Sequence, residues 1–313
     1  MLNLVPRDVA AIAPTDLSPS ALAAWIVSDE GYRQPAVCEW LAFLTVHHSI
    51  FTTIYEPFKR ANPGVTGRKD VVTAATSPME LLAIANHLYI LYSHGITGTV
   101  LECGCYKGFS SSCLSYACER LGYPLVVADS FAGLPPLPGE VGEDMYYQAG
   151  DFAGSRTEVE RNVRTFGRIK AVEFIEGWFS NSLLGWNRPL ALIWMDVDLD
   201  QSAVDVIRPC LPHLDPRGVV YSHEFDERFV FNGRINEPCG PPGIIVRAIE
   251  KLDPTYRAKF LLHNTGLVGR STSVGMDSFD LLMQVVPHIA PSTPIPTTAR
   301  PRHWLSRLVR RAA

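Results

Sequence analysis

No run of apolar residues in this sequence reaches the roughly 20 that a membrane-spanning helix needs. The best, Leu81 to Tyr92, is broken by Asn86 and His87. No basic stretch followed by a long apolar one opens the chain, and Pro6, Asp8, Pro14 and Asp16 come early, which argues against a secretory leader. Excess positive charge is missing too. The 28 basic residues stand against 32 acidic ones, a net charge of −4, so nothing marks a surface built to grip nucleic acid. The seven cysteines include the pair Cys103 and Cys105 but no companion C-x-x-C or H-x-x-x-H of a zinc site, and an odd number in apolar surroundings predicts reduced thiols. These absences leave a soluble, cytoplasmic globular protein. Its 313 residues, 47% of them hydrophobic, are ample for a substantial core.

What is present falls into two textures. Apolar periodicity predicts helices around Leu22 to Val27 and Val37 to Phe58, then from Pro78 to Ser93, where Ser77 caps, Pro78 suits the first helical position and Glu80 completes a capping box. The polar stretch Arg60 to Thr76 between them reads as a surface loop or a lid. From Thr97 onward short apolar runs alternate with helical segments. Strands are predicted at Gly98 to Cys103, Pro124 to Ala128, Ala171 to Ile175, Leu190 to Met195 and Gly218 to Ser222. Helices are predicted at Ser110 to Leu121, Arg156 to Phe166 and Asp200 to Leu211, and this alternation implies a parallel sheet covered on both faces. Lys259 to His263 and Leu267 to Arg270 read as an edge hairpin. Five prolines from Pro287 to Pro301 read as an extended linker, and the tail RPRHWLSRLVRRAA, with five arginines and no acid, reads as a solvated segment or one that touches an anionic surface.

In such a sheet a ligand sits beyond the carboxyl ends of the strands, where the first strand-to-helix turn reaches the crevice. That turn is ECGCYKGFS, with Gly104 and Gly108. It lacks the three-glycine spacing that fits a pyrophosphate. The next strand ends in Asp129, placed to accept ribose hydroxyls, so a nucleoside without a phosphate bridge fits best, and S-adenosylmethionine is one. Glu102 then faces its cationic amino-acid end and Gly177-Trp178 borders the adenine. Two other classes stay open at this stage: a nicotinamide-dependent oxidoreductase on the same strand, turn and acid, and an inactive nucleoside-binding scaffold.

Five segments in unbroken order, VLECGCYKGFSSS, VVADSFAGLPPLPGE, GDFAGSRTEVERNVRTFG, FIEGWFSNSLL and IWMDVDLDQSAVDVIRPCLPHLDPRGVVYSHEF, are similar to the macrocin O-methyltransferase (TylF-type) family of class I S-adenosylmethionine-dependent enzymes. The motif D-S-F-x-G-L-P at Asp129 to Pro135 is the most specific of them. The resemblance implies an α/β Rossmann-like fold with a mostly parallel seven-stranded sheet and an N-terminal helical cap. It divides the chain into residues 1–95, a methyltransferase domain at 96–286, and a linker and tail at 287–313. It implies a cofactor site of Glu102, Gly104, Gly108, Ser110, Asp129, Ser130, Phe131, Gly177 and Trp178, and methylation of a hydroxyl on a small-molecule acceptor, sugar-containing or a natural product.

The family also implies magnesium, held by an aspartate ending the fourth strand and an aspartate pair ending the fifth. The first maps onto Asp196, but the pair falls on His223-Glu224. Imidazole suits zinc, iron, manganese or nickel better than magnesium. Two readings follow: a divalent metal on Asp196, His223 and Glu224, or a metal-free site in which His223, with an ordinary pKa of about 6.5, is the general base. Asp196 and His223 are the expected catalytic pair in either case. Asp200 is expected to cap the helix that follows. The partner is a small hydroxyl acceptor, and a homo-oligomer is compatible with the sequence.

Overall fold

The computed structural model describes residues 4–15, 17–63, 76–136, 149–223, 230–231, 234–235, 255–262 and 265–289. Helices α1 (Arg7–Ile12), α2 (Pro19–Ile26), α3 (Asp29–Tyr32), α4 (Pro35–Ala61) and α5 (Pro78–Ser93) precede the sheet. The alternating region follows as β1 (Thr99–Cys103), α6 (Phe109–Leu121), β2 (Leu125–Asp129), α7 (Arg156–Phe166), β3 (Val172–Glu176), α8 (Phe179–Ser182), β4 (Leu190–Met195), α9 (Asp200–Cys210) and β5 (Leu214–Ser222). A two-stranded pair, β6 (Val230–Phe231) and β7 (Arg234–Ile235), comes next, then β8 (Tyr256–Leu262), β9 (Thr265–Arg270) and α10 (Ser278–Ile289).

The main sheet has the order β3-β2-β1-β4-β5-β9-β8. Its first five strands are parallel, β9 runs antiparallel to β5, and β8 runs antiparallel to β9. Strand order reverses between β1 and β4, which opens a crevice at their carboxyl ends. Every residue of β1, β2 and β4 is buried, as continuous apolar strands covered on both faces require. Successive side chains go to opposite faces: Val100, Trp194 and Tyr221 join a core with α2, α4, α5, α6 and α10, whereas Leu101, Ile193 and Val220 join a second with α9.

Helix α5 is buried on all sides, from Glu80 to Leu91, because it lies between α4 and the sheet. Its capping box is formed: Ser77 Oγ accepts from Glu80 N–H, and Glu80 Oε2 accepts from Ser77 N–H at 2.6 Å. The predicted elements from β1 to β5 are all present within a few residues of their expected limits. The edge hairpin forms too, with Thr265 and Gly266 already paired in β9. Two expectations are corrected. Helix α10 runs through Pro287 to Ile289, so the linker cannot begin at Pro287; burial of Val285, Val286 and Ile289 holds this last turn despite the missing amide donor. Helix α9 begins at Asp200 itself, and the cap position is Leu199, which makes no side-chain cap. His263, at the end of the first predicted hairpin strand, and the tail beyond 289 lie outside the described residues.

Candidate active site

The turn after β1 is built by close backbone approach. Gly104 has φ +81°, and a Cβ there would meet the Asp196 carbonyl oxygen at 1.9 Å. Its N–H donates to Ala128 O at 3.0 Å, while Asp196 N–H donates to Cys103 O at 2.9 Å. The tips of β1, β2 and β4 are thereby locked together. Gly108 has φ +84° and lies under Val159 of α7, where a Cβ would be 2.9 Å from Cγ1. Both glycines therefore answer to neighbouring chain, a reason that spacing alone does not supply.

Glu102, in β1, is fully buried. Ser110 Oγ donates to its Oε1 at 2.5 Å, and Oε2 has no partner among the described residues. Burial pushes this carboxyl up to about 8; the Ser110 and Ser111 hydroxyls oppose the shift, and the charges of Asp196 and Asp129 add to it. Its neighbour in register on β4, Trp194, is also fully buried with an unpartnered Nε1–H. An acceptor and a donor with no partner among the described residues thus sit in register on adjacent strands.

Asp129 ends β2 and is 8% exposed. Its Oδ2 accepts from Cys105 N–H at 2.7 Å and its Oδ1 from Phe131 N–H at 2.7 Å. Burial raises its pKa, and these two backbone donors act against that rise. The carboxylate thus ties the β1 turn to the β2 turn. Ser130 is committed to its own turn, donating to Gly133 O at 2.8 Å and accepting from Ala132 N–H at 3.1 Å. Phe131 takes φ +54° and packs against Phe174. Gly177 N–H donates to Asp129 O at 2.9 Å, which brings the β3 tip alongside, and Trp178 is 36% exposed. The nine residues expected around the cofactor lie in β1, β2, the first turn of α6 or the turns after β1, β2 and β3, at the carboxyl ends of these strands.

Across the crevice, His223 follows β5 with its backbone N–H donating to Met195 O at 3.0 Å. Its side chain is 6% exposed. Nδ1 lies 3.4 Å from Asp196 Oδ1, and Nε2 lies 3.8 Å from Glu80 Oε1. The Trp194 ring stands edge-on to the imidazole, 6.1 Å between centroids. Sequence reasoning placed Asp196 and His223 together but saw Glu80 only as a helix cap. The signal for it was an acid at the start of an almost wholly apolar helix. Glu80 is 1% exposed, and its Oε1 also accepts from Thr265 Oγ1 at 2.7 Å, a contact 185 residues apart in the chain.

Glu224 lies outside the described residues, and among those described no group of three or more His, Cys, Asp or Glu side chains converges as a metal site. Cys103 and Cys105 are free, buried thiols whose pKa burial holds well above the ordinary value, so they are packing residues. His47 and His87 are core residues whose pKa burial lowers to about 4. No described helix is long and apolar enough to cross a membrane.

A seven-stranded sheet with an antiparallel β9 inserted beside β5, and acids at the carboxyl edge of β1, β2 and β4, defines a class I methyltransferase fold. The chain is 22% identical to the O-methyltransferase NovP, whose structure it matches with a TM-score of 0.52 over 64% of this chain and 83% of that one. Residues 78–228 match the model of the macrocin-O-methyltransferase (TylF) family. It is also 29% identical, over 56% of its length and 72% of the relative's, to the 8-demethyl-8-(2,3-dimethoxy-alpha-L-rhamnosyl)-tetracenomycin-C 4'-O-methyltransferase of Streptomyces olivaceus. The nicotinamide alternative is set aside by these matches.

Proposed function

We propose that the protein methylates a hydroxyl of a sugar-bearing small molecule, with His223 as the general base. The observation that carries this reading is the imidazole of His223 beside Asp196, whose own backbone packs on the Gly104 turn. Base and cofactor turn share one wall. The sugar is supported by the relative that methylates a rhamnosyl group.

When bound, S-adenosylmethionine supplies an electrophilic methyl group on its sulfonium. Glu102 Oε2, buried and lacking a donor among the described residues, suits the cofactor's ammonium group, and Asp129 at the end of β2 suits the ribose hydroxyls. Trp178 presents an exposed ring for the adenine. Methyl transfer needs the acceptor oxygen held in line and relieved of its proton. His223 takes that proton, and Asp196 stabilises the imidazolium that results. Residues 1–95 form the acceptor side and 96–286 the catalytic domain.

The described residues do not fit the family's magnesium. They offer the carboxylate of Asp196 and the imidazole of His223, while Glu80 beyond the ring already accepts from Ser77 and Thr265, and magnesium prefers an octahedron of oxygens. Proton transfer is therefore derived through the histidine alone. Transfer of labelled methyl to a rhamnosylated polyketide tests the reading: product is expected, and it should form equally in excess EDTA. Loss of activity in EDTA, restored by a divalent metal, would place that metal on Asp196, His223 and Glu224. No methylation of any glycosylated acceptor would overturn the substrate class.

A further inference from the structure

We infer that Asn162 is a positioning residue for the turn after β1, and that through Asn62 it makes the end of α4 tighten when S-adenosylmethionine binds at that turn. This rests on the proposed cofactor site. Asn162 lies on the buried face of α7 beside Val159 and Val163. Asparagine is a poor helix former and its amide is costly to bury, so a place on this apolar face calls for partners. Its Nδ2 donates to Lys107 O at 2.9 Å and to Asn62 Oδ1 at 2.7 Å. Asn62 in turn donates through Nδ2 to Phe58 O at 3.0 Å. Both side chains are out of water, Asn162 at 3% exposure and Asn62 at 1%. A backbone carbonyl can only accept, so the carbonyls of Lys107 and Phe58 fix which way the two amides face.

Lys107 belongs to the turn that carries Gly104 and Gly108, and Asn62 closes α4 as its C-cap. Other elements hold the rest of the turn: Asp129 accepts from Cys105 N–H, Gly154 packs on the Tyr106 carbonyl, and Val159 lies over Gly108. Tyr106 itself sits at φ +47°, so the turn keeps its shape against the preference of its own backbone and depends on these neighbours. Asn162 extends the arrangement to α4, bridging to a residue 100 positions away. Lys107 adds a second tie, its Nζ donating to Pro63 O at 3.1 Å. A ligand that settles the turn therefore settles the last turn of α4. The cofactor thereby firms one wall of the region proposed to receive the acceptor.

Hydrogen exchange of the full chain with saturating S-adenosylhomocysteine tests this, read by mass spectrometry on peptides covering Phe58 to Asn62. The Asn62 N–H donates to Phe58 O at 3.0 Å and reports the last turn of α4. Helix α9, packed on the opposite face of the sheet, shows how much protection comes from global stabilisation alone. In the wild type the ligand should slow exchange at the end of α4 about fivefold or more beyond any slowing in α9. Asn162→Ala keeps α7, since alanine is the better helix former. It should lose this protection and bind S-adenosylhomocysteine about tenfold more weakly. Asn62→Ala leaves Asn162 on the Lys107 carbonyl, so it should keep the affinity and lose the protection, and it decides even if Asn162→Ala does not fold. A merely structural pair would lower stability in both variants and leave the ligand's effect on α4 intact. Wild-type protection no greater than that of α9, or its survival in either variant, overturns the inference while calorimetric binding of S-adenosylhomocysteine stands. Absence of any binding heat in the wild type would sink the cofactor site itself, and the inference with it.

Discussion

Gly104 and Asp196, 92 residues apart, touch through their backbones: the α-carbon of the glycine faces the aspartate's carbonyl oxygen so closely that no side chain fits between them. The turn after β1 and the end of β4 are therefore one rigid construction. A change at either should be felt at the other.

Gly104→Ala tests this contact. The added methyl would meet Asp196 O at 1.9 Å from a backbone at φ +81°, so a loss on the order of 3 kcal/mol or more is expected in urea unfolding. Gly122 has φ +76° with nothing within 4 Å, so Gly122→Ala should cost only about 1 kcal/mol. Equal losses would show that strain alone, and not the Asp196 contact, accounts for the glycine.

His223→Gln should lower kcat by about 10² to 10⁴, the usual worth of a general base. Calorimetry with S-adenosylhomocysteine should find its affinity nearly unchanged, because the residue lies across the crevice from Glu102 and Asp129. A variant that loses affinity and keeps kcat would make His223 a structural residue.

Glu102 makes stability depend on pH. Its folded pKa of about 8 lies above its ordinary value of 4.5, so the folded state holds a proton that the unfolded chain releases. The contribution is fully present below pH 4.5 and is lost as pH rises through 8. Melting temperature measured across this window should fall more steeply in the wild type than in Glu102→Gln; parallel curves would refute the shifted carboxyl. A bound ammonium favours the ionised form, so S-adenosylhomocysteine should release protons on binding near pH 7, seen as a buffer-dependent heat that Glu102→Gln lacks.

Asp129→Asn should damage the cofactor turn although it preserves shape. Both carboxylate oxygens accept backbone N–H groups, and an amide can replace only one of them. One buried donor is left unmet at a cost of about 1–3 kcal/mol. A drop in S-adenosylhomocysteine affinity together with stability is expected. Unchanged stability would mean that the turn closes without the second acceptor.

Much of this architecture is legible locally. The segment from Thr99 to Ser222 alternates apolar runs and amphipathic helices so regularly that each strand from β1 to β5 is visible in sequence, and Ser77-Pro78-x-Glu80 announces the start of α5. The end of α10 was not visible, since Pro287 is a local stop signal that burial of Ile289 overrides. Asp200 looked like a cap for a similar reason: its type suits the role, but the helix begins one residue earlier.

By itself the sequence determined the order of elements, the carboxylates at the ends of the first, second and fourth strands, and the placing of His223-Glu224 after the fifth. Periodicity and turn chemistry act over a few residues, so they can be read without the fold. Only the tertiary structure decided why Gly104 must be glycine, which oxygens of Asp129 are already taken, and that Glu80 reaches His223. Each is a contact across 24 to 143 positions, created when parallel strands bring their ends to one edge. Distances and the degree of screening there follow from packing, which no local pattern encodes.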